Sequence, residues 1–232
     1  MLKIDAQMPI DNRLLAKLPL ADYHRLLEDL ELVTLTFGEV LYDPADAITH
    51  VHFLNDALVS LLTMTDQQHA IEVGLVGREG LVGVSVALGV PTSPFRITVQ
   101  GTGTAMRMQA ERFCHALTHS PSLQHEVNLY THALMAQISQ TAACNHFHVV
   151  EARLARWLLM TRDRVGSNHL HLTHEFLGHM LGVRREGVTN AALALKQQNL
   201  IKYSRGRIDI VNGSGLEAAS CSCYGLLKLK FN

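Results

Sequence analysis

Hydrophobic and polar residues follow three different patterns along the chain. Residues 12–30 place leucines at helical spacing, and Pro19 separates two short amphipathic segments. Residues 31–108 consist instead of short β-rich runs that glycine, aspartate and proline interrupt at close intervals. From about residue 110 the helical spacing of three to four residues returns. The pattern therefore predicts an α+β protein, in which two N-terminal helices and an antiparallel β-roll of the jelly-roll type precede a helical C-terminal half.

A continuous apolar stripe indicates one long helix over residues 122–150. Its members recur every three or four residues: Leu123, Val127, Tyr130, Leu134, Ile138 and Thr141. A stripe of this length needs a second surface to bury it, either the same helix of a second chain or the chain's own β-roll. We expect the second chain. The predicted domains are then a β-roll with its N-terminal helices (1–121), a dimerisation helix (122–150) and a C-terminal domain with a tail (151–232).

Residues 172–211 contain the pattern of a helix-turn-helix. Thr173 is a favourable N-cap, and Glu175 lies in the first turn, where the helix dipole favours an acid. Gly182 permits a tight turn after little more than two helical turns. A second helix is predicted over 184–198, and its inner face is apolar: Val188, Ala191, Ala192 and Leu195. A short helix, a glycine turn and a longer helix are typical of this motif.

The outer side of the second helix indicates DNA binding. Its first turns carry groups that can bond to base edges or phosphates: Arg184, Arg185, Glu186, Thr189 and Asn190. Residues 201–210 then predict a small hairpin that turns at Arg205 and Gly206. Its basic residues are placed to meet phosphates: Lys202, Arg205 and Arg207. Together with Thr173, these residues form the predicted DNA-binding set.

The distribution of charge agrees with a DNA-binding C-terminal part. Residues 1–150 hold 8 basic and 15 acidic side chains, a net charge of −7, whereas residues 151–212 hold 10 and 5, a net charge of +5. Such segregation favours an acidic module joined to one that meets a polyanion. The longest weakly polar run, residues 80–90, is about half of the ~20 residues that a membrane helix needs. Asp5 stands where a signal peptide would be apolar. We therefore expect a cytoplasmic protein with no membrane partner.

Four segments match one family pattern. They are LELVTLTFGEVLYDPADAITHVHFL, VGLVGREGLVGVSVALG, HVVEARLARWLLMTRDR and, most specifically, LTHEFLGHMLGVRREGVTNAALALKQQNLI. With these segments the chain resembles the Crp/Fnr superfamily of bacterial transcription regulators over about residues 13–224. They correspond in turn to the opening of the sensor barrel, its central glycine turn, the hinge after the dimerisation helix, and the helix-turn-helix.

The resemblance implies a homodimer. Each chain would have a β-roll sensor similar to cyclic-nucleotide-binding domains, a long central helix and a winged helix-turn-helix. The implied partners are double-stranded DNA and, if the protein is an activator, RNA polymerase; no enzymatic activity is implied. Arg185 and Glu186 correspond to base-reading positions of the family. Asn190 stands where several members carry arginine, so the family's half-site does not transfer to this chain.

The segment around Gly83 indicates which ligands the β-roll could bind. The family's cyclic-nucleotide binders hold the ribose through a glutamate after the glycine, and the phosphate through an arginine beside a serine or threonine. Here Val84 replaces the glutamate, and Arg96 has no hydroxyl neighbour. Gly83 and Arg96 are therefore the candidate ligand-binding residues, whereas cyclic AMP is disfavoured as the ligand. Cys114 is the first cysteine, which disfavours an iron–sulfur sensor with N-terminal ligands.

Fourteen histidines and four cysteines raise the question of a metal. Three close pairs could supply ligands: His50 with His52, His115 with His119, and Cys221 with Cys223. The alternation with Val51 and Phe53 predicts that the first pair points outward, no third ligand is evident for either histidine pair, and the cysteine pair is interpreted as part of the tail. We predict no metal and no cofactor, with a small-molecule effector of unknown identity. One histidine would suffice as a haem ligand, which leaves that question open.

We interpret the chain as a homodimeric, sequence-specific DNA-binding transcription regulator. Helix 184–198 would lie in the major groove of a two-fold operator, and a signal at the β-roll would modulate its activity. Two other hypotheses stay open. The chain could be a constitutive DNA-binding protein whose barrel is only a scaffold, or a cupin-like metal-binding protein that uses His50 and His52.

Overall fold

The computed structural model describes residues 11–64, 70–204 and 206–228. The chain divides into two compact units. Unit 1 lies within residues 1–62 and 75–135, and unit 2 lies within residues 63–74 and 136–232. Among the described helices, none combines the length and the apolarity needed to cross a bilayer.

Unit 1 begins with two short helices, α1 (Arg13–Ala16) and α2 (Leu20–Leu27), as the leucine spacing predicts. The buried side chain of Asn12 caps α1, because its Oδ1 accepts hydrogen bonds from the backbone of Leu14 and Leu15 at 3.1 Å. Its Nδ2 donates to the carbonyls of Leu54 and Gly80 at 2.8 and 2.9 Å. One asparagine therefore both starts the helix and ties it to the strands that follow.

Two four-stranded sheets form the β-roll. Their strand orders are β1-β8-β3-β6 and β2-β7-β4-β5, and the pairings β1–β8, β3–β8, β3–β6, β2–β7 and β4–β7 are antiparallel. The strands are β1 (Glu31–Leu35), β2 (Val40–Tyr42), β3 (His50–Leu54), β4 (Leu58–Met64), β5 (Ala70–Val76), β6 (Leu81–Val82), β7 (Arg96–Gly101) and β8 (Gly103–Gln109). A 3₁₀ turn (Val84–Leu88) follows β6, and α3 (Ala110–His119) follows β8. The predicted antiparallel roll is confirmed.

Strand β3 corrects one expectation, namely that its histidines point outward. Val51 and Phe53 are fully buried as predicted, but His52 is only 6% exposed. The strand lies between β6 and β8, and helix α3 places Phe113 edge-on against Phe53 at 5.9 Å. An apolar alternation identifies one buried face and carries no information about what covers the other. Burial, followed by the positive charge of Arg107, lowers the pKa of His52 from 6.5 to about 4.

Acidification is expected to destabilise the protein through His52. Below about pH 6.5 the unfolded chain binds a proton at this histidine, whereas the native chain stays unprotonated there down to about pH 4. The free energy of unfolding should therefore decrease as the pH is lowered through this window, by up to about 3 kcal/mol from this group. Urea denaturation at a series of pH values should show a shallower pH dependence for His52→Gln than for the wild type. The exposed His115, changed to glutamine, is the control, and equal slopes for the wild type and His52→Gln would contradict the expectation.

The long helix α4 (Pro121–Phe147) buries most of its apolar stripe within the chain itself. Leu123, Val127 and Leu134 are buried, and the Tyr130 hydroxyl donates a hydrogen bond to the carbonyl of Leu81 at 2.9 Å. A Cβ at Gly80 would clash with the Tyr130 ring, so glycine is required where the helix approaches this turn. Of the two surfaces considered for the stripe, the chain's own β-roll is the one that Tyr130 contacts, and the stripe residues named here are buried within the single chain. These buried positions are therefore not available to a second chain.

Unit 2 contains a winged helix-turn-helix, as predicted. Helix α5 (Val150–Val165) packs with α6 (His174–Leu181) and α7 (Arg185–Gln197). A three-stranded antiparallel sheet of order β10-β11-β9 forms the wing. The remaining elements are β9 (His169–His171), β10 (Ile201–Ser204), β11 (Arg207–Ile210), α8 (Gly213–Ala219) and α9 (Cys223–Lys228). The core of α5 contains the fully buried Leu154 and Leu158.

Part of the positive charge of the C-terminal segment lies inside unit 2. Arg153, Arg156 and Arg164 of α5 are all buried. Arg164 donates to the Met160 carbonyl and to Gln137 Oε1, both at 3.1 Å, and Arg153 donates to the carbonyl of Leu181. These three arginines support packing, so the net charge of the segment overstates what its surface can offer to DNA. The exposed basic residues of the segment include those on α7 and the wing.

Candidate nucleic-acid interface

The helix-turn-helix begins at the residue that the sequence indicates. Thr173 is the N-cap of α6, and its hydroxyl accepts a hydrogen bond from the backbone of Phe176 at 3.1 Å. Gly182 ends the helix with φ +61°, a left-handed conformation that favours glycine. A Cβ at Gly182 would also lie 2.6 Å from Ile71 Cδ1, and a Cβ at Gly178 would lie 2.9 Å from the carbonyl of Val183. Both glycines therefore permit the close turn that sets the direction of α7.

Helix α7 presents its polar residues to solvent. Arg184 is the N-cap, so the helix starts one residue after the predicted boundary. All five predicted groups on this helix are exposed: Arg184, Arg185, Glu186, Thr189 and Asn190. The opposite face is buried, with Val188, Ala191, Ala192 and Leu195 in the core. Within the described residues, the side chains of Arg184, Arg185, Glu186 and Asn190 form no hydrogen bond or ion pair, which leaves them available to an external ligand.

Thr189 is held by the protein, and the residues that hold it were not singled out from the sequence. Its hydroxyl donates to the carbonyl of Arg185 at 3.0 Å and lies 3.0 Å from His174 Nδ1. The His174 ring stacks on Tyr203 of the wing, with ring centroids 4.2 Å apart. Burial, followed by the positive charge of Arg185, lowers the pKa of His174. His174 thus joins the start of α6, the second turn of α7 and the wing.

The wing has the hairpin that the sequence predicts. Gly206 has φ +80°, and Arg205 lies outside the described residues. Lys202 is exposed, whereas Arg207 forms an ion pair with Asp209, Nε to Oδ1 at 2.9 Å. His169 also contacts Asp209, Nδ1 to Oδ1 at 2.6 Å, and this hydrogen bond is the main reason why the pKa of Asp209 is lowered. Lys202 is therefore the less constrained of the two described basic residues.

The two candidate ligand-binding residues of the β-roll lie in unit 1. Gly83 takes a left-handed conformation, φ +90°, and a Cβ there would lie 3.1–3.3 Å from atoms of Ile48, His50 and Val51. Arg96 lies at the start of β7 and pairs with Asp43, Nε to Oδ1 at 3.4 Å. The arginine that the family would offer to a phosphate thus already has an acidic neighbour.

Comparisons with known proteins agree with this geometry. Residues 152–219 match the model of the Crp-like helix-turn-helix domain. No curated protein matches the chain. A structure from Eubacterium rectale, assigned to the Crp/Fnr family of transcriptional regulators, is 18% identical, with a TM-score of 0.70 over 89% of this chain and 97% of its own. FixK2 from Bradyrhizobium japonicum is 13% identical, with a TM-score of 0.72 over 83% and 98%. CLP from Xanthomonas campestris, described as a c-di-GMP-responsive global regulator, is 14% identical, with a TM-score of 0.69 over 83% and 99%.

The structural likeness extends over most of the chain, and the family match covers the domain that presents α7. The resemblance seen in the sequence is confirmed by both. Residues 152–219 match a Crp-like helix-turn-helix domain, and the chain shares the fold of solved structures from the Crp/Fnr family.

Proposed function

We propose that the chain acts as a homodimer that binds a two-fold DNA operator through α7. The observation that carries this proposal is the set of unpaired, exposed polar side chains at the N-terminal end of that helix, in the domain that matches the Crp-like family. Recognition helices enter the major groove by their N-terminal residues. Such a protein would work in the cytoplasm, would contact RNA polymerase if it activates transcription, and would have no enzymatic activity.

The exposed residues have different proposed roles. Arg184 and Arg185 can bond bidentately to the acceptors of guanine, Glu186 can accept from cytosine, and Asn190 can pair with adenine. Lys202 would contact a phosphate, because a mobile ammonium on the wing can neutralise the backbone without reading sequence. Arg207 shares its charge with Asp209, so we assign it a smaller part in phosphate binding.

The operator can be identified by selecting bound DNA from a random pool with the purified full-length protein. The expected product is an inverted repeat whose half-sites have centres about one helical turn, ~34 Å, apart. The spacing follows from two copies of α7 related by a dyad. Enrichment of a single unrepeated half-site, or of no sequence at low salt, would contradict the proposal.

Helix α4 has a continuous exposed face that could contact the same helix of a second chain. Solvent-exposed positions recur at alternating intervals of three and four residues: His125, Asn128, His132, Met135, Ser139, Ala142 and His146. A repeat averaging 3.5 residues is the seam spacing of two-stranded coiled coils. The small Ser139 and Ala142 allow close approach, and the exposed Leu129 lies beside the seam. This face, which the stripe buried in unit 1 does not use, is the proposed dimer contact.

Met135→Glu is expected to convert the dimer to a monomer, because the two-fold axis would bring two like charges into the seam. Light scattering should show the molar mass fall from about twice the 25.7 kDa of one chain to that of one chain. Leu88→Glu is the matched control, since Leu88 is 62% exposed and Met135 is 63% exposed. A monomeric wild type would contradict the homodimer, and a Met135→Glu variant that stays dimeric would place the contact elsewhere.

We further propose that the β-roll responds to a signal other than cyclic AMP. Val84 cannot hold a ribose hydroxyl, and Arg96 already pairs with Asp43. Cyclic AMP is therefore expected to leave the thermal unfolding temperature and the operator affinity unchanged. A screen of other small molecules by the same two measurements would identify an effector. Equal operator affinity under every condition would instead favour the constitutive scaffold.

A further inference from the structure

Unit 2 brings together four potential metal ligands that are far apart in the sequence. Cys144 lies in the last turn of α4, and His148 follows the end of that helix. Cys221 precedes α9, and Cys223 is its first residue. The three Sγ atoms and one imidazole nitrogen all lie within 4.8 Å of one another. The three cysteines are buried and His148 is half-buried, so the group is closed off from bulk solvent on most sides.

The separations of these atoms fit a shared tetrahedral ion. Cys144 Sγ lies 3.4 Å from Cys221 Sγ, and Cys223 Sγ lies 3.6 Å from His148 Nδ1. Bonds of about 2.3 Å from zinc to sulfur and about 2.0–2.1 Å from zinc to nitrogen imply tetrahedron edges of about 3.8 Å for S–S and about 3.6 Å for S–N. The two distances given lie within about 0.4 Å of these edges, and all the ligand atoms lie within 4.8 Å of one another, so shifts of at most about 1 Å would let the four groups surround one ion.

A buried positive charge lies close to the cluster. Arg156 is buried, and its guanidinium contacts Thr141 Oγ1 at 3.5 Å and Met160 Sδ at 3.6 Å. No carboxylate pairs with it in the part of the chain that the structure describes. The guanidinium is close enough to interact electrostatically with Cys144 and Cys221. Zinc with three thiolates and one imidazole carries a net charge of −1, which gives this buried cation its counter-charge.

Gln140 also provides a hydrogen-bond donor to one of the sulfur atoms. Gln140 Nε2 donates a hydrogen bond to Cys223 Sγ at 3.0 Å. Donors of this kind orient sulfur ligands and stabilise their negative charge. A disulfide between Cys144 and Cys221 would use only two of the four ligand groups, and it would leave Arg156 without a counter-charge. Three sulfurs and one imidazole in a closed tetrahedral arrangement are the ligand set of structural zinc.

We propose that Cys144, His148, Cys221 and Cys223 bind one Zn²⁺ ion. The ion links the end of α4 and the connection to α5 with the segment between α8 and α9. It therefore fixes the point at which the long helix joins the DNA-binding domain. This proposal replaces the expectation of a metal-free chain and the interpretation of Cys221 and Cys223 as tail residues. It does not depend on DNA binding.

Metal analysis of the full-length protein tests the site. After purification without added chelator and dialysis against zinc-free buffer, the wild type is expected to retain about one zinc per chain. Cys144→Ser and Cys221→Ser should retain almost none. Cys114→Ser is the matched control and should keep the full amount, because Cys114 lies on α3 outside the cluster. Circular dichroism shows whether each variant is folded.

Cobalt provides a second measurement that remains informative if a cysteine variant fails to fold. Co²⁺ added to the metal-free wild type should produce the visible absorption of a tetrahedral thiolate complex. His148→Gln, which changes a half-buried ligand at the helix end, should alter that spectrum. The proposal is overturned if the wild type binds no stoichiometric zinc, if all four thiols react equally fast with and without Zn²⁺, or if mass spectrometry maps a Cys144–Cys221 disulfide in the freshly purified protein.

Discussion

Arg185→Ala is expected to weaken binding to the selected operator by about 5- to 150-fold, equivalent to about 1–3 kcal/mol, and to relax the preference at one base position. The reason is geometric: Arg185 is the first residue of α7, is exposed, and has no hydrogen-bond or ion-pair partner among the described residues. A guanidinium in that place can bond to two acceptors of one guanine, and alanine can replace neither bond. Titration of labelled operator and of operators changed at each position measures both effects.

Lys202→Ala is the comparison that separates base reading from phosphate contact. This variant should lose affinity for all sequences alike, and its affinity should depend less on salt, with the slope reduced by about 1. The preference for the operator over random DNA should stay as in the wild type. If Arg185→Ala weakens operator and random DNA by the same factor, Arg185 contacts the backbone and α7 is not the reading helix in the orientation proposed.

Leu195→Ala is expected to destabilise the DNA-binding unit by about 2–5 kcal/mol. Leu195 is fully buried on the inner face of α7, so truncation removes apolar contacts and leaves a cavity. Leu193→Ala, the same substitution two residues away, should change stability by less than about 0.5 kcal/mol, because Leu193 is 51% exposed. The pair therefore tests which face of the helix packs on the domain.

Urea denaturation followed by tryptophan fluorescence suits this comparison. Trp157 is the single tryptophan of the chain, and it is buried in α5 of unit 2, where its indole donates to Glu72 Oε1 at 2.8 Å. The fluorescence thus reports the unit that contains both leucines. Similar losses in the two variants, or a larger loss for Leu193→Ala, would mean that α7 is rotated relative to the structure.

The features that sequence reasoning predicted are local ones. The Thr173 cap, the left-handed Gly182 and the three- and four-residue spacing of α7 each depend on a few neighbouring residues, so the helix-turn-helix could be placed to within one residue at its second helix. The alternation of apolar runs and turn residues likewise predicted the β-roll. Whether the side chains of α7 and the wing contact DNA stays a prediction.

The features that were not predicted depend on residues distant in sequence. The stripe of α4 could be buried by either of two surfaces, and only the contact of Tyr130 with Leu81 distinguishes them. The burial of His52 depends on what covers the second face of its strand. The cluster of Cys144 with Cys221 joins positions 77 residues apart. The short spacings of Cys144 with His148 and of Cys221 with Cys223 were local signs, but neither spacing shows that the two pairs meet.

The contact of Tyr130 with the turn at Gly80 has a mechanical consequence. Because the ring is packed directly against the backbone of that turn and its hydroxyl is bonded to Leu81, α4 cannot rotate about its axis without withdrawing the ring and breaking this bond. Gly83, two residues beyond Leu81, begins the segment where a ligand would be expected. A displacement of this segment that moves Leu81 would therefore either move Tyr130, and α4 with it, or break their hydrogen bond.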